Sequence, residues 1–176
     1  MTKLYIMVGL PGCGKSYLTE KIKNEWHNTN SVYVYSSDAH LDYGAISRGE
    51  ASFKNLIKPA INAAQDGLQK ALTDNVDVVI FDQTNLSCKK RDWIKTIFDW
   101  SSIEYVCIMP PNQIEEKEEW EKRLAARIEK QVPKETINQM IERFEIPGVD
   151  TDEEPVRLYD VLGNEYNSWA GGVKQK

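Results

Sequence analysis

Short apolar runs alternate with amphipathic stretches along most of the chain. Lys3 to Val8 (KLYIMV) predicts a buried strand, and Tyr17, Leu18, Ile22 and Trp26 after it recur at helical spacing. The glycines between them complete a strand, loop, helix unit. Val32 to Tyr35 (VYVY) predicts a second strand, closed by Ser36, Ser37 and Asp38. A polar stretch from Asp42 to Ser52 follows. Leu56, Ile57, Ile61, Ala64, Leu68 and Leu72 then mark one face of a helix over about Phe53 to Leu72. Val76 to Phe81 (VDVVIF) predicts a third strand ending at Asp82, apolar enough to be covered on both faces. Lys89 to Trp100 suits a helix with Trp93, Ile94, Ile97 and Phe98 on one side, and Tyr105 to Met109 a fourth strand, stopped by Pro110 and Pro111.

Ile114 to Lys130 predicts a highly charged helix, and Pro133 opens another that lasts to about Phe144, so the two form a helical hairpin over the sheet. Beyond Pro147 the chain is acidic and loop-like up to a short apolar piece, Val156 to Val161, and Gly171 to Lys176 reads as a frayed end. Strands alternating with helices imply an α/β fold with a central parallel sheet flanked by helices. No internal repeat or low-complexity linker interrupts it. The 176 residues are enough for one domain with a substantial core, expected over residues 1–162 with a C-terminal tail over 163–176.

Composition narrows the class. Hydrophobic residues make up 41% and charged residues 28%, a globular balance. No stretch approaches the ~20 apolar residues of a membrane span, and the N-terminus enters a strand rather than a leader-like segment, so a cytoplasmic location and no membrane partner are expected. Cys13, Cys88 and Cys107 are odd in number and far apart, which supports neither a disulfide framework nor a zinc site. A net charge of −5 excludes a surface basic all over but leaves room for a local basic groove. The acids gather at Glu115, Glu116, Glu118, Glu119 and Glu121 and at Asp150, Asp152, Glu153 and Glu154, both read as solvated faces.

The chemistry begins at Gly9-Leu10-Pro11-Gly12-Cys13-Gly14-Lys15-Ser16, which fills every fixed position of G-x-x-x-x-G-K-[ST] between a strand and a helix. Glycines let backbone amides turn around a phosphate, the helix adds its positive end, Lys15 reaches the outer phosphates and the Ser16 hydroxyl can hold Mg²⁺. The expected nucleotide-binding set is Gly9, Pro11, Gly12, Cys13, Gly14, Lys15, Ser16 and Tyr17. Cys13 reads as a loop spacer. A helix start beside a lysine would lower its thiol pKa, so a redox role stands as the alternative. GTPases, motor ATPases and kinases share this loop. The chain has no N-K-x-D segment and is short for a ring ATPase, which leaves a compact ATP-dependent kinase of the P-loop class.

A kinase needs a carboxylate to take the proton of the attacking hydroxyl and positive charge over the moving phosphoryl group. Asp38, at the end of the second strand, is the candidate base; capping a short helix at Ala39 to Leu41 is its other reading. Asp82, with Thr84 and Asn85, follows the third strand beside the same crevice, and pairing with Arg91 or Lys89 is its alternative. Arg123 and Arg127, four apart, would share a helical face as a clamp on the phosphates, unless they pair with Glu116, Glu119 or Glu129. Trp26, Trp93 and Trp100 fall on predicted helices and read as core rather than stacking platforms.

In order and spacing, GLPGCGKS, SSDA, FDQTNLSCKKR, KRLAARIEKQVP and MIERFEIP resemble the kinase module of polynucleotide 5′-hydroxyl kinases, both the phage type and the animal end-repair type. The resemblance covers roughly residues 3 to 150. It implies a P-loop NTPase fold with a helical lid, ATP and Mg²⁺ as cofactors, and a DNA or RNA 5′-hydroxyl end as acceptor. The expected catalytic set is Lys15, Asp38 and Arg127: by resemblance Asp38 is the general base, Arg127 is the lid arginine over the phosphates, and Asp82, Thr84, Asn85 and Arg91 form the acceptor side. Leu41 stands where the phage pattern carries an arginine gripping the acceptor's 3′-phosphate, and Ile128 where a glycine is common. No D-x-D-x-[TS] segment for a phosphatase partner domain is present. A small-molecule kinase acting on a nucleoside, sugar or antibiotic hydroxyl is the first rival reading, and a nucleotide-gated binding module without turnover the second.

Overall fold

A computed structural model describes residues 1–27, 31–128, 130–148 and 154–166. Asp150, Asp152 and Glu153 of the late acidic cluster, and the expected frayed end from Gly171, lie outside the described residues. Five strands, β1 (Lys3–Val8), β2 (Val32–Tyr35), β3 (Val78–Phe81), β4 (Ser102–Ile108) and β5 (Val156–Tyr159), form one sheet in the order β2-β3-β1-β4-β5. Every neighbouring pair is parallel. Helix α1 (Lys15–Glu25) follows β1, α2 (Tyr43–Ser47) and α3 (Phe53–Thr73) join β2 to β3, α4 (Cys88–Lys95) leads to β4, and α5 (Ile114–Ala126) and α6 (Lys134–Glu142) precede β5. The α/β class with a parallel sheet flanked by helices is therefore the one the apolar pattern predicts.

Both faces of the sheet are covered, which is why its strands read as unbroken apolar runs. Tyr5 and Met7 of β1 pack with Leu18 and Ile22 of α1, Trp120 of α5 and Ile137 of α6. Leu4, Ile6 and Val8 turn the other way, onto Ala64, Leu68 and Leu72 of α3 and Ile94 of α4. Each such buried aliphatic side chain stabilises the fold by about 1.5–3 kcal/mol. The edge strand β2 is held closely: Tyr33 Oη donates to the Ala64 carbonyl of α3 at 2.9 Å. A Cβ on Gly67 would lie 2.4 Å from that same oxygen, so only glycine lets the helix and the tyrosine meet.

Near the starts of β1 and β5, Glu104 accepts hydrogen bonds from Lys3 Nζ at 2.8 Å and from Arg157 Nε, and Arg157 Nη1 reaches Glu25 at 2.8 Å. Burial raises the Glu104 carboxyl's pKa, but the two cations outweigh it and the net shift is downward.

Several elements stop earlier than the apolar period suggests. Helix α4 ends at Lys95, because the Thr96 hydroxyl donates to the Trp93 carbonyl at 2.7 Å and turns the chain. Helix α5 ends at Ala126 rather than near Lys130, with Arg127 already out of helical conformation. The polar stretch from Asp42 holds α2, whose first turn is capped by the Asp42 carboxylate accepting from Ala45 N at 2.8 Å. Glu116 is not part of a solvated face: it is buried, and its Oε2 accepts from the Asn112 and Gln113 amides at 2.7 Å each. Past residue 162 the chain folds back along β5, with Tyr166 N donating to the Leu158 carbonyl at 2.9 Å. No described helix is long and apolar enough to cross a membrane.

Candidate active site

The loops leaving the C-terminal ends of β1, β2 and β3 meet where an open α/β sheet places its ligands. Gly12 (φ 74°) and Gly14 (φ 108°) sit in left-handed backbone that side-chain-bearing residues rarely adopt, and they bend the loop after β1 back toward α1. Gly14 is the N-cap of α1 and supplies no side-chain cap, which leaves the first-turn amides and the positive end of the helix to whatever enters the loop. Lys15 Nζ lies along the loop, donating to the carbonyls of Gly9 at 3.1 Å and Leu10 at 2.9 Å. Ser16 and Tyr17 are exposed on the same turn. Cys13 is buried against Gly9, whose Cβ would fall 2.7 Å from its sulfur. Burial pushes that thiol's pKa up despite Lys15 beside it, which disfavours the thiolate a redox role needs.

Other residues fasten this loop from outside. Gly9 N–H donates to the Thr84 carbonyl at 3.1 Å. The Trp120 indole donates to the Pro11 carbonyl at 2.8 Å from inside the core. Arg123 is held by Glu119 at 2.8 Å, donates to the Val161 carbonyl at 2.7 Å and reaches the Cys13 carbonyl at 3.5 Å. The pairing of Arg123 with Glu119 is thus present, and the guanidinium braces the loop's back. Asn85 and Arg91, expected on the acceptor side, lie beneath it at 2% and 1% exposure. Asn85 (φ 44°) donates to the carbonyls of Met7 at 2.8 Å and Phe81 at 3.2 Å, tying the ends of β1 and β3. Arg91 Nη1 donates to the carbonyls of Asn85 and Leu86 at 3.1 and 3.0 Å. Spacing puts Asn85 in the loop after β3 and Arg91 on α4, but does not show which way either side chain turns.

On the acceptor side, Asp38 begins a single 3-10 turn (Asp38–His40) whose N-cap is Ser37, so its carboxylate is not used up in capping. The carboxylate is half-exposed; Oδ1 accepts from Tyr43 Oη at 2.9 Å, and Lys130 Nζ stands 3.7 Å from Oδ2. Gln83 Nε2 donates to Ser37 Oγ at 3.1 Å and links the turn to the loop after β3. Asp82 lies between the two sides. Burial raises its pKa, Lys15, the nearby Thr19 hydroxyl and Lys130 oppose the rise, and Asp38 adds to it. Because α5 ends at Ala126, Arg123 and Arg127 do not share a helical face. The Arg127 charge is felt at the Tyr43 phenol, and the Arg127 Nη1 is shielded from solvent with no partner among the described residues. Ala126, Arg127, Ile128 and Lys130 line a recess of about 370 Å³ there. Sequence reasoning missed Tyr43, Lys130, Thr19 and Trp120; a tryptophan three residues before Arg123 was the one signal for the last.

The uncapped amides of α1, Lys15 and the orphaned Arg127 nitrogen fit a nucleotide's phosphate tail. Ser16 and Asp82 supply oxygens suited to Mg²⁺. Among the described residues no three of His, Cys, Asp or Glu gather into a metal cluster, so that ion would complete its shell from phosphate and water. A profile of the family described as an AAA domain matches residues 4–147. The chain belongs to that AAA-domain family. A Saccharomyces cerevisiae fructose-2,6-bisphosphatase is 28% identical to this member over 110 residues, 56% of this chain and 24% of that protein, so the chain spans about a quarter of that relative. A sugar kinase from Janibacter sp. HTCC2649 superposes with a TM-score of 0.60 at 15% identity, covering 93% of this chain and 88% of its own. The Pnkp1/Rnl/Hen1 RNA repair complex gives 0.56 at 21% identity, over 81% of this chain and 43% of that one. The fold of this AAA-domain member is that of P-loop kinases.

Proposed function

We propose that this chain transfers the γ-phosphate of ATP to the 5′-hydroxyl end of DNA or RNA. What supports the reading is that Lys15 and Asp38 both act on the Asp82 carboxyl, Asp38 and Arg127 both act on Tyr43, and the Asp38 carboxylate is half-exposed. ATP supplies the transferable group and Mg²⁺ offsets its charge. Lys15 and the first-turn amides of α1 hold the phosphates in place, with Ser16 and Asp82 offering oxygens to the ion. Arg127 answers the negative charge that spreads over the phosphoryl oxygens, and Asp38 accepts the proton of the attacking hydroxyl. The five motifs in phage-kinase order are what favour a polynucleotide acceptor.

One observation favours a small-molecule hydroxyl instead. Leu41 is buried, so the position where the phage pattern grips a 3′-phosphate offers no cation. A labelled-phosphate assay comparing 5′-hydroxyl oligonucleotides with nucleosides and sugars separates the two. Label on the oligonucleotide is the expected result. Label on the small molecules alone would transfer the assignment to the second reading, and Mg·ATP binding with no transfer to any acceptor would leave a binding module.

A further inference from the structure

We propose that Tyr43 is the positioning residue of the acceptor side: its hydroxyl fixes the Asp38 carboxylate while its ring seats Lys130, docking the segment after α5 onto the acceptor base. The inference rests on the phosphoryl-transfer reading and on Asp38 as its base. Asp38 stands on one 3-10 turn with its side chain half in solvent, a placement that by itself leaves the carboxylate free to rotate. The Tyr43 hydroxyl at 2.9 Å occupies Oδ1, which fixes the carboxylate plane and leaves Oδ2 facing Lys130. Lys130 Nζ lies 4.5 Å from the Tyr43 ring centroid and 3.7 Å from Oδ2, so the aromatic face and the carboxylate share one ammonium. Tyr43 is itself fixed in α2, capped by Asp42 at the start and closed by the Arg48 amide on the Gly44 carbonyl at 3.0 Å. Burial, with the Asp38 charge and hydrogen bond, holds the phenol's pKa far above its ordinary value, so it remains a donor at any working pH.

The hydroxyl and the ring are separable by substitution. In the full chain, Tyr43→Phe keeps the perch and removes the donor, whereas Tyr43→Leu removes both. Far-UV circular dichroism and Mg·ATP affinity serve as folding controls. Tyr43→Phe is expected to lower kcat about tenfold, the kinetic equivalent of one hydrogen bond, with KM for ATP and hydrogen exchange at the peptide carrying Arg127 and Lys130 both unchanged. Tyr43→Leu should show the same fall in kcat and, in addition, several-fold faster exchange at that peptide. Lys130→Met, which leaves the hydroxyl on Asp38 in place, should reproduce the faster exchange. A Phe variant with wild-type kcat, or a Leu variant with wild-type exchange, overturns the proposal. If the unmodified chain transfers to no acceptor, the functional reading fails, and the exchange comparison still decides whether the ring seats the lysine.

Discussion

The donor and acceptor sides of the cleft are built on opposite terms. On the donor side most polar groups already have a partner within the chain: Gly9 on Thr84, Trp120 on Pro11, Arg123 on Glu119 and Val161, Lys15 on two loop carbonyls. On the proposed acceptor side Asp38 is half-exposed on one turn, and Tyr43, which donates to it, stands on a helix of five residues. A phosphate tail is the same each time and is met by a fixed loop. In the proposed reaction an acceptor hydroxyl on a variable body would be met by short elements.

The contrast breaks most completely at Asp38. Asp38→Asn is expected to cut transfer by about 10³-fold or more while Mg·ATP affinity, read by calorimetry, changes by less than about threefold. Parallel loss of both would assign Asp38 to the donor side. Arg127→Ala should lower kcat by about 10²–10³-fold with unfolding free energy unchanged, whereas Arg123→Ala should cost about 1–2 kcal/mol of stability through its lost braces. Urea titrations beside the kinetics test the pair, and the reverse pattern would exchange their roles.

Smaller effects sharpen the same picture. Gly67→Ala forces a methyl group into the Tyr33 hydroxyl and should destabilise by about 1–3 kcal/mol without a direct effect on the cleft; an unchanged urea midpoint would mean Tyr33 swings aside freely. Asp82 acts in the other direction. Its folded pKa is raised, so the folded state disfavours its ionised form: stability through this group falls as pH climbs from the ordinary carboxylate range through the raised value and stays lower above it. Asp82→Asn is therefore expected to be more stable than wild type at pH 7, by about 0.5–1 kcal/mol, with the gain shrinking in acid while transfer declines. A variant less stable than wild type at pH 7 would contradict that sign.

The donor half was readable because its information is local: a strand, eight consecutive residues and a helix start lie side by side in the chain. The sheet was readable for a related reason, since strands covered on both faces cannot carry polar residues cheaply. The acceptor half depends on contacts that spacing does not encode. Asn85 and Arg91 look alike whether they face a ligand or hold up a loop, and burial decided for the loop. Arg123 and Arg127 promised one helical face until α5 stopped between them. Five residues of α2 show too little period to stand out from a polar stretch, which hid Tyr43, and its partner Lys130 lies far along the chain.

The Trp120 indole, anchored on the Pro11 carbonyl in the core, has an optical consequence. Indole emission follows the local electric field, so a polyanion entering the neighbouring loop would shift the spectrum of a fluorophore the chain already carries. Titrating with Mg·ATP a variant in which the other four tryptophans are replaced by phenylalanine then reads the donor loop through Trp120, before any acceptor is known.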